Sequence, residues 1–443
     1  MTGSSNNERT ILVVTASRWP HTAFVAARLR DVGFSVAAVC PRKGALRRTS
    51  GIARFYDYSR LRATQSILAA IDDCSPALVV PGDDEAAAAL HELHARCRQS
   101  ENTEAPGVCR LIEESLGPSA SFSIVRSKLQ IVQLAGECGV RVPRTREIGN
   151  VDELIEFTRA ADFPFLLKQE DTSGGRGVVI VRSAEAAVSA YQNLQRRLKT
   201  DGLRDLAFRL DPISLIQSMW RQPPRIGAQS LIEGRPANRA VACWKGKVLA
   251  GITVVALETN PPGIGTATVV EAMDHPEIAR AAGTLVAKLG LSGFCGFDFV
   301  LDRSGQAYLL ELNARLTSAC WIGTTAETDL CGAMFEAVTG TPRHIADRLS
   351  EKWPPFGREG QRLALFPQEW MRSKTSEHLY ASYHRVPWHD PQLLAYLVSN
   401  TLKAEQRMQR SALVRIFERF MNRIERDEVR PLAKAGGDGN PSL

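Results

Sequence analysis

The chain has no CxxC pair and no clustered histidines, although nine cysteines are scattered through its 443 residues. An odd number of dispersed thiols argues against a disulfide framework or a zinc site, and they read as free thiols in a reducing cytoplasm. No apolar run approaches the ~18 residues that a membrane span requires, and Met1 to Thr10 is polar, without the apolar core of a signal peptide. The expected location is therefore cytoplasmic, with no membrane partner. Long blocks of one charge are also missing. The formal charge is +7 and the bases are interspersed with acids, which argues against nucleic acid and weakly favours phosphorylated or carboxylate ligands. Three nucleotide signatures are absent as well. The first turn, Thr15-Ala-Ser-Arg-Trp-Pro-His-Thr22, lacks GxGxxG, no GxxxxGK[ST] occurs, and the kinase HRD and DFG motifs do not appear.

What remains is a soluble composition long enough for about two to four domains. Ile11-Leu-Val-Val-Thr15, Phe34 to Cys40 and Ala77 to Pro81 read as short buried strands, alternating with helical patterns at Phe24 to Leu29 and Glu85 to Arg96. That alternation predicts a parallel, doubly wound α/β domain. Pro81-Gly-Asp-Asp-Glu85 follows a strand end, and it reads either as a ligand loop or as a helix N-terminus with acids complementing its dipole. A second α/β unit follows. A helix is expected from about Ser127 to Cys138 and another over Val151 to Ala161. Strands are expected at Phe163 to Lys168 and Val178 to Val181, then a helix over Ala184 to Leu198, an inserted segment over 199–226, and a strand near Ala228 to Glu233. Trp244-Lys-Gly-Lys247 reads as a tight turn between strands, with a helix over 275–289 beyond it. After Thr341 the pattern weakens. A helix near 405–426 carries Leu413, Ile416, Phe417, Phe420 and Ile424 on one face, which favours docking on its own protein, and the tail after Ala433 is expected to be disordered.

Two segments carry chemistry. Gly296-Phe-Asp-Phe-Val-Leu-Asp-Arg-Ser-Gly-Gln-Ala-Tyr-Leu-Leu-Glu-Leu-Asn-Ala-Arg315 reads as a hairpin. Side chains alternate faces along a strand, so Glu311 and Asn313 share a side, about 7 Å apart. With Asp302 to Gly305 as a four-residue turn, Leu301 faces Gln306, Asp298 faces Leu309, and Asp298 joins Glu311 and Asn313. Three oxygen ligands without Cys or His suit Mg²⁺, and Arg315 beside them suits a phosphate; a polar solvated hairpin face is the alternative. Upstream, Leu166-Leu-Lys-Gln-Glu-Asp-Thr-Ser-Gly-Gly-Arg-Gly-Val-Val-Ile180 places Lys168 at a strand end with Gly174, Gly175 and Gly177 directly after it. Such glycines turn successive N–H groups toward phosphate oxygens, although a plain hairpin turn would also use them.

Taken in order, Ser127-Lys128, Lys168 with its glycine loop, Gln229-Ser-Leu-Ile-Glu-Gly234, Asp298 and Glu311-x-Asn313-x-Arg315 resemble the ATP-grasp superfamily over roughly residues 120–330. The resemblance implies a Rossmann-like domain over 1–118 and an ATP-grasp domain over 119–340 with a lid subdomain at about 145–230. A mostly helical or irregular region over 341–443 completes the expected α/β and α+β architecture. It implies that Lys128 and Lys168 contact ATP, with Lys168 and Arg315 as catalytic groups, and that Gly174, Gly175 and Gly177 belong to a flexible lid. Gln229, Ser230, Leu231 and Ile232 would read the adenine edge, Gln229 standing where the family commonly has Glu, and Glu233 would reach the ribose. Asp298, Glu311 and Asn313 would hold two Mg²⁺ ions, with Mn²⁺ also compatible. Arg239, Thr266 and Trp321 stand where relatives approach the acceptor. The implied reaction is ADP-forming ligation of a carboxylate to an amine through an acyl phosphate. Carboxylation through carboxyphosphate is one alternative, and a non-catalytic nucleotide-binding or scaffolding protein is another. The partners implied are a small-molecule carboxylate and amine, of the amino-acid kind among others, with a homo-oligomer compatible.

Overall fold

Runs of β-branched and small apolar residues set the first layer. In the computed structural model, which describes residues 9–99, 105–170, 177–209, 225–263, 265–342, 353 and 355–410, strands β1 (Thr10–Val14), β2 (Ser35–Cys40), β3 (Arg54–Asp57) and β4 (Leu78–Pro81) form a sheet in the order β3-β2-β1-β4. Every pairing in it is parallel. β1, β2 and β4 are buried almost throughout, as strands covered on both faces by crossover helices must be. Helix α1 (Pro20–Asp31) opens on a proline at its first position, where the missing N–H costs nothing. α2 (Ala63–Cys74) ends on left-handed Ser75. α3 (Asp84–Arg98) is capped by Asp83, whose side chain accepts from the Ala86 N–H, and it has Asp84 and Glu85 in its first turn. The half-exposed β3 was absent from the sequence-based expectation because Arg54-Phe-Tyr-Asp57 presents no buried run.

Helices α4 (Ala105–Leu116), α5 (Phe122–Arg126) and α6 (Lys128–Glu137) lead to a small antiparallel sheet. Its strands β5 (Thr145–Ile148), β6 (Phe165–Gln169), β7 (Val178–Val181) and β8 (Ile226–Ser230) lie in the order β5-β8-β6-β7. α7 (Val151–Arg159) and α8 (Ala184–Arg209) cover it, with Leu154, Phe157, Phe165, Leu167, Tyr191 and Leu194 in a core of their own. The third sheet has seven strands in the order β13-β12-β9-β10-β11-β14-β15: β9 (Gly234–Trp244), β10 (Lys247–Asn260), β11 (Thr266–Met273), β12 (Gly293–Asp302), β13 (Ala307–Asn313), β14 (Arg362–Ala364) and β15 (Tyr383–His384). Helix α9 (Pro276–Leu289) packs Ile278, Ala282, Leu285 and Val286 against Phe297, Phe299 and Leu309 of this sheet. Lys245 and Gly246 both have positive φ, 49° and 78°, the conformation a two-residue hairpin turn demands.

Five expectations differ from the structure. The helix expected over Ala184 to Leu198 runs on to Arg209, into the expected insertion. The strand near Ala228 to Glu233 ends at Ser230, and a new strand begins at Gly234. The hairpin after Gly296 has another register: Leu301 pairs with Ala307, Phe299 with Leu309 and Asp298 with Glu311, with a bulge between Asp298 and Phe299. The Asp302 side chain causes the first offset, because its Oδ1 accepts from Ser304 N, Ser304 Oγ and Gln306 N at 2.9, 2.7 and 2.9 Å. That leaves a three-residue loop closed by Gly305 at φ 82°. The region after 341 supplies β14, antiparallel to β11, so the large sheet continues past that residue. The helix of the C-terminal region begins at Pro391, ahead of the 405 expected, and is described as far as Arg410; residues 411–426 with the expected apolar stripe, the tail after Ala433 and part of the 199–226 insertion lie outside the described residues. Residues 1–394 form one compact unit and 395–443 a second. Among the described residues, no helix is long and apolar enough to cross a membrane, and all nine cysteines are free.

The first domain meets the large sheet through glycine backbone. A Cβ on Gly117 (φ 109°) would stand 2.8 Å from the Gly290 carbonyl oxygen, and one on Gly293 (φ 86°) 2.6 Å from that of Ser115. Gly117→Ala is therefore expected to cost more than about 1 kcal/mol. Gly283→Ala, in α9 with nothing within 4 Å of the added carbon, should gain roughly 0.5–1 kcal/mol. Urea denaturation of both variants checks this, and an unchanged midpoint for Gly117→Ala contradicts the close approach.

Candidate functional site

The bulge in β12 decides how the acidic residues meet. It sets Asp298 directly opposite Glu311, and Asn313 reaches both, donating Nδ2 to Asp298 Oδ2 at 2.9 Å and to Glu311 Oε1 at 3.3 Å. Asn238, from the neighbouring β9, donates Nδ2 to Asp298 Oδ1 at 2.6 Å. Two adjoining carboxylates on a partly buried face repel each other. Burial, and then the charge of Glu311, push the Asp298 carboxyl up to about 7. Burial also opposes the Glu311 charge, but Lys128 and hydrogen bonds outweigh it and hold that carboxyl below its ordinary range.

Two cations answer this charge. Lys128 is the first residue of α6, whose N-cap Ser127 accepts from Gln130 N at 3.2 Å. Its Nζ stands 3.2 Å from Glu311 Oε2. Lys168 projects from β6 toward the same group. Burial, reinforced by repulsion from Lys128, lowers its pKa to about 8, although Glu311 and Asp298 favour its charged form. β6 is tied to α6 by Glu170, which accepts from the backbone N–H groups of Leu129 (2.9 Å) and Lys128 (3.2 Å). The small sheet and the helix thus deliver their lysines together.

Arg315 is placed differently from the expected phosphate clamp. It grips Asp84 with Nε at 2.7 Å and Nη2 at 3.0 Å, and donates to Asn313 Oδ1 at 2.9 Å. Pro81-Gly-Asp-Asp-Glu85 forms a helix N-terminus, one of the two readings offered for it. Asp83 caps α3 and accepts from Thr15 Oγ1 and the Ala16 and Ser17 N–H groups, while Asp84 faces the hairpin. His21 donates Nε2 to the Gly82 carbonyl at 3.1 Å, and burial holds its pKa down at about 4.

The remaining expected residues divide. Gln229 is buried, donates Nε2 to Thr145 Oγ1 at 2.9 Å, and leaves Oε1 without a partner. Ser230 donates its N–H to the Arg144 carbonyl at 2.9 Å. Leu231 and Ile232 are half-buried beyond β8. Glu233 is exposed and paired with Arg303 at 2.7 Å. Gly177 (φ 75°) stands directly before β7, its carbonyl accepting from the Gln169 N–H at 2.9 Å; Gly174 and Gly175 lie outside the described residues. Arg239 shares the strand side of Phe297 and donates to Thr253 Oγ1 at 2.8 Å, on the opposite side of β9 from Asn238, so it does not face the acidic pair. Trp321 is buried and stacked on Phe24, with ring centres 4.2 Å apart. Thr266 begins β11. The sequence reading missed Asn238, a polar residue within β9, and Glu170, which lies in a polar run just past the end of β6 and gives no distinguishing signal.

The donor set fits a hard divalent ion. Two facing carboxylates supply charge, and Asn238 has a buried Oδ1 without a partner. Asn313 would present its own oxygen once turned away from Arg315, since amide nitrogen and oxygen occupy nearly the same shape. The unpartnered Gln229 oxygen fits an amino-group donor such as that of adenine.

Comparison with known proteins agrees with this geometry. Residues 222–319 match the model of the ATP-grasp domain. The chain is 26% identical over 233 residues to pyruvate carboxylase of Pichia angusta, covering 49% of this chain and 18% of that protein. It is 24% identical over 206 residues to a probable alpha-L-glutamate ligase of Pseudoalteromonas atlantica, covering 45% and 59%. The matches thus span less than two thirds of either relative. The biotin carboxylase domain of Hydrogenobacter thermophilus 2-oxoglutarate carboxylase, solved with MgADP and bicarbonate, shares the fold at TM-score 0.53 and 15% identity, covering 75% of this chain and 70% of that one. Residues 222–319 are thus similar to the ATP-grasp domain, and the solved structure that shares the fold is a complex with MgADP.

Asp298 also yields a test without ligand. Its folded pKa, about 7, lies above the ordinary value of 3.8, so the folded state binds the proton more tightly and this group's contribution to stability falls as pH rises between those values. Asp298→Asn should leave the melting temperature nearly unchanged at pH 5 and raise it by roughly 2–6 °C at pH 8. An equal offset at both pH values contradicts the electrostatic account.

Proposed function

We propose that this ATP-grasp chain is an ATP-dependent, ADP-forming ligase that joins a small-molecule carboxylate to an amine through an acyl phosphate. The observation that supports it most is the convergence of Lys128 and Lys168 on the Asp298–Glu311 pair. In this reading the two lysines contact the ATP phosphates, Gln229 Oε1 accepts from the adenine amino group, and Glu233 turns from Arg303 to the ribose. Asp298, Glu311 and Asn313 would hold Mg²⁺, which supplies neutralisation of the triphosphate and alignment of its terminal phosphoryl group.

A carboxylate oxygen of the substrate attacks the terminal phosphorus and ADP departs. The amine nitrogen then attacks the acyl carbon, phosphate leaves with the former carboxylate oxygen, and the nitrogen loses a proton. Arg315, released from Asp84, is suited to the oxyanion of this second step, because a planar guanidinium meets two oxygens at once. Acyl phosphates hydrolyse, so the glycine segment ending at Gly177 is assigned to excluding water.

ADP release with pooled carboxylic and amino acids tests the activity, and conversion of hydroxylamine to a hydroxamate tests the intermediate. Glu311→Gln should lower both by about a hundredfold or more while the protein stays folded. Hydroxamate formed by that variant at the unaltered rate rules out the metal assignment. ADP release that stays at background with every pool favours a nucleotide-binding module. A second reading, carboxylation through carboxyphosphate, is favoured by the fold shared with a biotin carboxylase domain, and ADP release that needs bicarbonate but no carboxylic acid would select it.

A further inference from the structure

A second polar cluster, apart from the acidic hairpin and the two lysines, lies where α1, the residues around Ile322 and Asp329, Trp353 and Arg385 meet. Arg28, in the last turn of α1, is 1% exposed and donates Nη2 to Asp329 Oδ1 at 2.9 Å. Its Nε and Nη1 are buried without a partner. Arg385 is 4% exposed and donates Nη2 to the Ile322 carbonyl at 2.9 Å, and its Nε and Nη1 are likewise buried without a partner. Both guanidinium groups stand against the Trp353 ring, with Cζ 5.3 Å and 6.0 Å from its centre. Trp353 is itself held, donating Nε1 to Asp31 Oδ2 at 2.9 Å and meeting the Trp321 ring edge-on at 5.8 Å.

Buried guanidinium groups are stable only when their donors and charge are answered. The carboxylates at hand are already engaged. Asp329 Oδ1 accepts from Arg28 and also from the N–H of Gly332, and Asp31 Oδ1 takes both Nε and Nη2 of Arg30. The Trp353 ring offers each arginine about 0.5–2 kcal/mol of cation–π attraction, less than a buried charge costs. Burial, followed by repulsion from Arg28, lowers the Arg385 pKa to about 9. Four N–H-bearing nitrogens, a surplus of positive charge and an aromatic wall match an oxyanion, whose flat or tetrahedral oxygens take paired guanidinium donors.

We propose that Arg28 and Arg385 form a buried oxyanion site that takes a small carboxylate-bearing or phosphate-bearing anion. The site stands independently of the ligase reading, because none of its residues belongs to the acidic hairpin or the lysine pair. Charge neutralisation by the anion stabilises the folded chain in proportion to its occupancy.

The test is thermal denaturation of the full chain, without nucleotide or Mg²⁺, against acetate, malonate and inorganic phosphate, with chloride at matched ionic strength as the reference. The melting temperature of the unmodified protein should rise and saturate with malonate or with phosphate, and the better of the two identifies the anion class. Arg385→Met, which removes a poorly paired buried charge, should melt at or above the unmodified protein yet need at least a tenfold higher anion concentration for the same rise. Arg28→Lys, which keeps the charge but loses the fork, should show the same loss of response and serves if Arg385→Met fails to fold. The phosphate series is repeated on Lys168→Met, where the rise should persist. A phosphate response that vanishes there belongs to the nucleotide site and overturns the assignment. So does a response to all three anions no greater than to chloride, or an unaltered response in Arg385→Met and Arg28→Lys.

Discussion

The electrostatic balance between one carboxylate pair and two lysines is the constraint around which the other elements are arranged. Asp298 and Glu311 adjoin because β12 and β13 pair at that register, and neither would sit there charged without an opposing cation. Lys128 comes from a helix N-terminus and Lys168 from a separate sheet. A helix start is an unusual address for a lysine, since the dipole there is positive. The Glu170 carboxylate, accepting two N–H groups of that same helix start, offsets the penalty and fixes the spacing between the two lysine-bearing elements.

Around that balance the site is a set of displaced partners. Asn313 directs its nitrogen at the carboxylates and its oxygen at Arg315, the reverse of what a metal ion requires. Arg315 holds Asp84, a carboxylate of the chain itself. The Asn238 and Gln229 oxygens have no partner at all. Each of these is the pattern left when an anion, a cation or an amino donor completes a set of hydrogen bonds that the chain alone cannot close.

Much of this was readable from residue order. The parallel sheet followed from Ile11-Leu-Val-Val and its two companions, because strands buried on both faces are uniformly apolar. A helix beginning near Ser127 was expected where α6 stands, Lys128 was singled out by the family resemblance, and the turn within Trp244-Lys-Gly-Lys247 was read between two strands. The sharing of one side by Asp298, Glu311 and Asn313 followed from strand alternation. The register did not, because both offsets arise outside the alternation rule: Asp302 binds the backbone of its own turn, and a bulge follows at Asp298. Long-range partners were equally hidden. Arg315 and Asp84 are far apart in the chain, and no local pattern indicates that a helix start beside one sheet will meet a strand end of another. β14 escaped notice since three residues at a sheet edge carry too little periodicity to register.

The grip of Arg315 on Asp84, joined by the Leu316 N–H donating to the Pro81 carbonyl at 3.0 Å, has a consequence for dissecting the chain. The end of the hairpin and the tip of the first sheet share one set of bonds, so a fragment starting near residue 119 would deprive a mostly buried guanidinium of the one carboxylate it grips. Proteolysis between the two would yield pieces that stay associated, and swapping the first domain for another would have to import a carboxylate at the head of its third helix.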